Sequence, residues 1–206
     1  MPTPYVYERQ VEYWTSRAME SFFLDAGFEV LVFPLTQLTE RDVPSDFLFL
    51  DNATNKIFGF QYKALYRNGD DHWNLEPTQH STLGAFDWMY YGLSDLKAPR
   101  QHRNALHYLR VLGTGFAFQP KLSALGWQQN GLPPYFRWAA FFEGLCSCKH
   151  GRRVNGKTEL QRALWPHNGR SAPREIVELA DEVFIANLDA RRVVRYTSSL
   201  APGRAG

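Results

Sequence analysis

Three side chains set the chemical problem. Asp46 stands at the head of the apolar run Phe47-Leu48-Phe49-Leu50, and Gln61 and Lys63 stand inside the run Ile57 to Leu65. Asp51-Asn52-Ala53-Thr54-Asn55, between the runs, is turn chemistry. Period-two alternation places Gln61 and Lys63 on one face of the second strand and turns Phe60 and Tyr62 to the other. A lysine inside so apolar a strand needs a compensating group, either a carboxylate or a metal-bound phosphate. A carboxylate such as Asp46 holds Mg²⁺ or Mn²⁺ through oxygen, and the amide oxygen of Gln61 is a neutral ligand of the same hard type. Lys63 beside them would orient an attacking water or stabilise a pentacovalent phosphate. The chemistry that fits is metal-assisted phosphodiester hydrolysis. A further carboxylate from the preceding helix would complete the metal's shell. Glu20 is the first choice and Glu12 the second; eight residues are a little over two turns, so both are expected to face roughly the same way.

The elements that must position these groups follow from periodicity and punctuation. Val11, Trp14, Ala18, Phe22 and Phe23 recur at helical spacing, so the pattern predicts a helix over Glu8 to Ala26 with Gly27 as its stop. Phe28 to Phe33 reads as a strand, 34–44 as a loop, and Phe47 to Leu50 with Ile57 to Leu65 as an antiparallel hairpin behind the helix. A second helix is expected from Pro77 to about Tyr91, and a short helix feeding a strand over Pro99 to Leu112. Gly113, Gly115, Pro120, Gly126, Gly131, Pro133 and Pro134 make the middle rich in loops. Tyr135 to Leu145 is apolar and expected to be buried, as strand or helix. Residues 149–157 read as a basic turn, Pro173 to about Asn187 as a helix with acidic residues at its positive end, Asp189 to Tyr196 as a basic strand, and Ala201 to Gly206 as a loose tail.

This arrangement resembles the PD-(D/E)xK nuclease superfamily, the restriction-endonuclease-like and Holliday-junction-resolvase-like enzymes. The likeness covers about Glu8 to Leu65: a helix bearing a glutamate, an aspartate opening one strand, then an acid or glutamine, any residue, and a lysine on the next. Carried over, the helix glutamate falls on Glu20 or Glu12, the aspartate on Asp46, the acid-or-glutamine on Gln61 and the lysine on Lys63. Gly27-Phe28-Glu29-Val30 looks like the family's helix-to-strand corner. Ser45 stands where the family usually carries proline, with Pro44 one position earlier, and Gln61 replaces the commoner carboxylate. The resemblance implies an α/β fold with a restriction-endonuclease-like core, a mixed central sheet flanked by helices, and a loop-rich C-terminal elaboration. It implies one nuclease-like domain over 1–206, with a core of about 5–112 and an elaboration of about 113–200. It also implies a Mg²⁺- or Mn²⁺-dependent deoxyribonuclease acting on DNA, in which a homodimer would set two sites against a duplex. The alternative is a non-catalytic nucleic-acid-binding or protein-interaction module on a degenerate nuclease fold, with Gln61 as its mark.

Composition agrees with a globular chain: 206 residues, 44% hydrophobic and 21% charged. No apolar stretch approaches a membrane span, and the N-terminal residues lack a basic leader and apolar core, so a cytoplasmic protein with no membrane partner is expected. Charge is polarised along the chain. Residues 1–98 hold 7 basic and 14 acidic side chains, whereas 99–206 hold 16 basic and 7 acidic. The first half would hold metal while the arginine-rich second half grips an anionic polymer. Arg100, Arg103, Arg110 and Tyr108 are candidate nucleic-acid contacts, as are Arg191 and Arg192. Cys146-x-Cys148-x-His150, with His167 beyond it, has one residue between cysteines where a zinc knuckle takes two to four. Buried or half-buried free thiols are expected there, and no disulfide.

Overall fold

A two-residue strand, β1 (Thr3–Pro4), leads into helix α1 (Glu8–Asp25). The computed structural model describes residues 3–34, 43, 45–51, 55–67, 69–125, 132–167 and 170–186. Helix α1 buries Val11, Thr15, Met19 and Phe23, an i, i+4 stripe along one face for a little over three turns. Its stop is Gly27, whose φ of +78° is left-handed backbone that costs glycine nothing. There the N–H of Phe28 reaches back 2.8 Å to the carbonyl of Phe23, closing the turn.

The chain then builds a hairpin stack. Strand β2 (Val30–Pro34) pairs antiparallel with β3 (Phe47–Asp51), and β3 pairs antiparallel with β4 (Lys56–Lys63), in the register Phe47↔Phe60. All eight residues of β4 are buried. Next come β5 (Leu65–Arg67), β6 (His72–Asn74) and helix α2 (Pro77–Leu83). Strand β7 (Met89–Ser94) lies parallel to β4, with Gln61 beside Tyr91 and Lys63 beside Leu93. A 3₁₀ segment, Pro99–Tyr108, packs on α1 and feeds β8 (Leu109–Gly113). Then follow β9 (Lys121–Ser123), β10 (Phe136–Arg137), α3 (Trp138–Cys146), β11 (Arg152–Arg153), α4 (Lys157–Leu164) and α5 (174–186).

The main sheet runs β10-β8-β7-β4-β3-β2, with β11 extending it beside the start of β4. Among the described residues only the β4–β7 pair is parallel, so the sheet is mixed. Its two faces bury separate cores. Phe49, Phe58, Phe60, Tyr62 and Tyr90 form one with α1 and α3. Leu50, Ile57, Tyr91, Leu93 and Leu112 form the other, against Trp73 of the second sheet, Leu164 of α4 and Ile176 of α5. The second sheet, β1-β5-β6-β9, is pinned to the first by the Trp73 indole, which donates to the carbonyl of Ser94 at 2.8 Å. The molecule is therefore an α/β fold with a mixed central sheet flanked by helices.

The structure corrects one expected element. The helix expected over Pro77 to Tyr91 stops at Leu83, and Met89–Ser94 is a central strand. All six residues of β7 are buried, so it carries no polar alternation to announce it. The hairpin, the α1 boundaries and the short-helix-then-strand reading of Pro99 to Leu112 agree with the structure within a few residues. Tyr135 to Leu145 resolves into strand β10 and helix α3. The expected basic strand Asp189 to Tyr196 and the tail lie outside the described residues.

Candidate functional site

The β3–β4 hairpin positions Asp46 through its backbone. The Asp46 N–H donates to the Phe60 carbonyl at 2.9 Å, and the Ser45 hydroxyl donates to the same oxygen at 3.1 Å. Ser45 thus supplies by hydrogen bonding a turn that proline would supply by ring geometry. Gly59 permits the close approach: a Cβ there would lie 2.8 Å from the Ser45 hydroxyl and 2.5 Å from the Met89 sulfur. The carboxylate of Asp46 then meets β4 edge on. It accepts from Gln61 Nε2 at 2.8 and 3.0 Å, and from the backbone N–H of Tyr62 at 2.6 Å.

The Tyr62 N–H is held in place from the opposite face of the sheet. The Tyr62 ring lies over Gly92, where a Cβ would come within 2.5 Å of it, and its hydroxyl is 3.2 Å from Ser16 of α1. Tyr62 is fully buried, and burial pushes its phenol up from its ordinary value.

Lys63 is 8% exposed, and its ammonium donates to Glu8 Oε1 at 3.2 Å. Glu8 begins α1, and Glu12 follows one turn later. Both carboxylates act on Asp46. Burial pushes the Asp46 carboxyl up to about 8, and the negative charges of Glu12 and Glu8 add to the rise. The Tyr62 N–H and Lys63 pull the other way without offsetting it. Glu8 and Glu12 thus bring two further carboxyl groups toward Asp46, and Lys63 is paired with the first of them. A fourth acid lies at the mouth. Glu76, which caps α2 by accepting from Thr78 and Gln79 N–H at 3.1 and 2.6 Å, is drawn down mainly by those bonds, with Lys63 contributing.

The sequence-derived set thus divides. Asp46, Gln61, Lys63 and Glu12 come together. Glu20 does not: its carboxylate pairs with Arg17 at 2.7 Å on the exposed flank of α1. Eight residues of helix rise about 12 Å, so Glu12 and Glu20 do not reach one atom together. Glu8 and Glu76 were not anticipated. The signal for Glu8 was its i, i+4 spacing from Glu12, one turn away and within reach of the same site. Glu76 carried no motif, only the capping pattern Glu-Pro-Thr-Gln.

The basic candidates also divide. Arg100 and Arg103 are exposed on the 3₁₀ segment. Arg110 is not a free surface cation: Nε donates to Asp95 at 2.8 Å, and the guanidinium lies between the rings of Trp73 and Tyr135. Tyr108 is half-buried, and its carbonyl accepts from the Asp95 N–H at 2.7 Å. Arg191 and Arg192 lie outside the described residues. Cys146 and Cys148 form no disulfide, but they are exposed and not buried as expected, because they lie at the solvent-facing end of α3, and the His150 imidazole stacks on Phe141. His80 is a packed histidine. Its Nε2 donates to the Phe116 carbonyl at 2.9 Å, which leaves Nδ1 to accept from the Tyr91 hydroxyl at 3.1 Å.

Among the described residues, no group of three or more His, Cys, Asp or Glu side chains is gathered to hold a metal ion, and no helix is long and apolar enough to cross a membrane. No protein-family model, curated protein or solved structure matches the chain.

Proposed function

We propose that the protein is a metal-dependent DNA nuclease on a restriction-endonuclease-like core, working in the cytoplasm. One observation carries the reading: Asp46 is held by the Gln61 side chain and the Tyr62 N–H at a hairpin edge where Lys63, Glu8 and Glu12 converge. The donor set fits a hard divalent cation. Burial pushes the carboxyl of Asp46 up to about 8, with Glu12 and Glu8 adding to the rise, and Mg²⁺ or Mn²⁺ held through its oxygens would displace that proton. Asp46, Glu12 and the Gln61 amide oxygen would hold the ion. Bound there, it supplies charge neutralisation of a scissile phosphate and an acidified water.

The chain's own residues do the remainder. The Tyr62 N–H fixes one oxygen of Asp46, so that carboxylate is aimed before any ligand arrives. Lys63 places a positive charge beside it, where it orients a water or stabilises developing charge on phosphate oxygens. Glu8 anchors the lysine's ammonium and keeps it at the mouth, not folded along the strand. Arg100 and Arg103 would contact the DNA backbone from the 3₁₀ segment packed against α1, and a homodimer would present two such sites to a duplex.

A second reading rests on Gln61. Its amide nitrogen, not its oxygen, faces Asp46. Serving as an oxygen ligand requires the amide to turn over. A site that kept its present bonds would be a non-catalytic DNA-binding module. The deciding experiment is cleavage of labelled linear, nicked, branched and single-stranded DNA with Mg²⁺, Mn²⁺ or EDTA, for wild type and Lys63→Ala. Metal-dependent cutting abolished by the substitution supports the nuclease. Salt-dependent binding without cutting by folded wild type selects the module.

A further inference from the structure

A second polar site opens beside the first, at the same end of the main sheet. It is a groove of about 320 Å³, lined among others by Lys97, Arg110, Arg137, Asp71, Asp95 and Tyr108. Leu65, two residues past Lys63, forms part of its wall. Asp95 lies two residues past Leu93, the β7 partner of Lys63. Two residues of extended chain span about 7 Å, the axial rise of about two nucleotides of one duplex strand. The groove is therefore a neighbour of the Lys63 site, not a remote pocket.

Its charges are organised around Asp95. That carboxylate is 16% exposed and accepts from Arg110 Nε at 2.8 Å and from Arg137 Nη1 at 3.4 Å. Lys97 pairs with Asp71 across the groove. Three cations face two carboxylates, one positive charge in excess, which matches one phosphodiester monoanion. The guanidiniums are also held still. Arg110 sits 5.0 Å from the centre of the Trp73 ring and 4.8 Å from that of Tyr135, while Arg137 lies 5.3 Å from the same Tyr135 ring. Arg137 spends Nη1 on Asp95 and on the His107 carbonyl at 3.2 Å. Among the described residues its Nε and Nη2 have no partner, nor has Nη2 of Arg110. Arg137 is half exposed, so those N–H groups present a fork of the kind that grips phosphate oxygens in pairs. Stacking has already removed much of the side-chain entropy that binding would otherwise cost.

We infer that the Arg110–Arg137 groove is a phosphate-binding subsite that holds a DNA phosphodiester next to the one presented to Lys63. The subsite deepens the nuclease reading, on which its placement of the substrate rests. Arg110 is the buried anchor and Arg137 the hand. Tyr108 lines the wall where the neighbouring sugar or base would pass. The residue to test is Arg137, because Arg110 is too deeply packed for its loss to report on binding alone.

The experiment measures binding of a labelled DNA duplex in Ca²⁺ or EDTA, from about 50 to about 200 mM salt, for wild type, Arg137→Gln and Arg137→Lys. Arg174→Gln, which removes an exposed arginine on α5, is the matched control. Thermal melting confirms that each variant is folded. Arg137→Gln is expected to weaken binding about tenfold, the worth of one charge-assisted pair, and to lower the slope of log K against log salt by about one. Arg137→Lys is expected to recover the slope but only part of the affinity, and the control to move neither. In cleavage, KM is expected to rise with kcat retained. Unchanged binding and slope in Arg137→Gln, with wild type cutting normally, would overturn the subsite and leave the nuclease standing. The expected loss of binding, with no cutting by wild type, would keep the groove as a DNA site and remove the nuclease. Wild type that binds no DNA at all would overturn the subsite.

Discussion

Two ion clusters sit at one end of the same sheet, and they are built on opposite principles. Around Asp46, the acids Glu8 and Glu12 approach a carboxyl that burial pushes far above its ordinary range, and Lys63 pairs with Glu8. Around Asp95, two arginines face one carboxylate, and aromatic rings brace both. The second cluster is close to balanced with a small positive surplus, so it stands on its own and still attracts an anion. The first is set by the hairpin: the Tyr62 N–H and the Gln61 amide hold a carboxyl where burial alone would reject its charge. A structural ion cluster pairs its charges. A carboxyl held this far from its ordinary range by burial and neighbouring acids is a candidate binding group.

The sharpest way to break the comparison is to remove Lys63, the cation on the acidic side. On the proposed reading, Lys63→Ala is expected to lower cleavage by roughly a thousandfold, in the range for a positioned acid–base or charge-stabilising group. Steady-state kinetics would show the loss in kcat, with DNA affinity changed only slightly. An equal fall in the Arg137→Gln variant would mean that the two clusters form one catalytic unit, and the contrast between them would collapse.

The next test uses protons. The folded Asp46 carboxyl sits near 8 against 3.8 for the ordinary group, so the folded state retains a proton that the unfolded state releases. Its contribution is complete below about pH 4, erodes as the pH rises, and is lost above about pH 8. Asp46→Asn is therefore expected to flatten the fall in melting temperature between about pH 5 and 8.5, and to gain on the order of 2 kcal/mol over wild type at the upper end. A bound ion competes with the same proton. The melting shift produced by Mn²⁺ in wild type should grow toward pH 8, with affinity gaining up to about tenfold per pH unit, and should vanish in the variant. A Mn²⁺ shift equally large at pH 6 would mean that Asp46 is not the ligand.

Support from the far face comes third. Gly92→Ala puts a methyl into the Tyr62 ring, an overpacking expected to cost about 1–3 kcal/mol. Because the Tyr62 N–H fixes Asp46, a loss of metal affinity beyond the loss of stability is expected. Denaturant unfolding and Mn²⁺ titration together separate the two. Purely global destabilisation would show that Asp46 is held by Gln61 instead.

How far the site could be read from the chain depends on which periodicity reports it. The hairpin was legible because a polar turn separates two apolar runs and because Gln61 and Lys63 break the second run two residues apart, the strand's own period. Strand β7 was not, because it runs between β4 and β8 with a core packed on each face, and a strand buried on both faces shows the same apolar run as a buried helix. The groove was half legible. Arg110 and Tyr108 were visible as basic and aromatic residues, but Lys97, Asp95 and Arg137 join them only through the β7–β8–β10 pairings, which link residues far apart in sequence.

The helix acid is the finest case, and it carries the smallest expected effect. Both Glu12 and Glu20 lie on α1, and at the level of residue type nothing separates them. The buried stripe does: Val11, Thr15, Met19 and Phe23 fix the helix rotation, and the Lys63 end of β4 meets the start of α1, where Glu8 reaches Lys63, while Phe58, nearer its other end, stacks on Phe23. An acid at that level faces Asp46; one two turns further on faces solvent and settles on Arg17. Glu20→Gln should therefore change stability by less than about 0.5 kcal/mol, as for an exposed i, i+3 pair, and leave Mn²⁺ affinity and cleavage as they were. Glu12→Gln should weaken Mn²⁺ binding and also bring the Asp46 carboxyl down, since it removes the main charge opposing that carboxyl's ionisation. The two substitutions make the same chemical change on the same helix. If they weaken metal binding equally, the ion is held by the diffuse negative field of α1, and the placement of Asp46 by the hairpin has no part in choosing its partner.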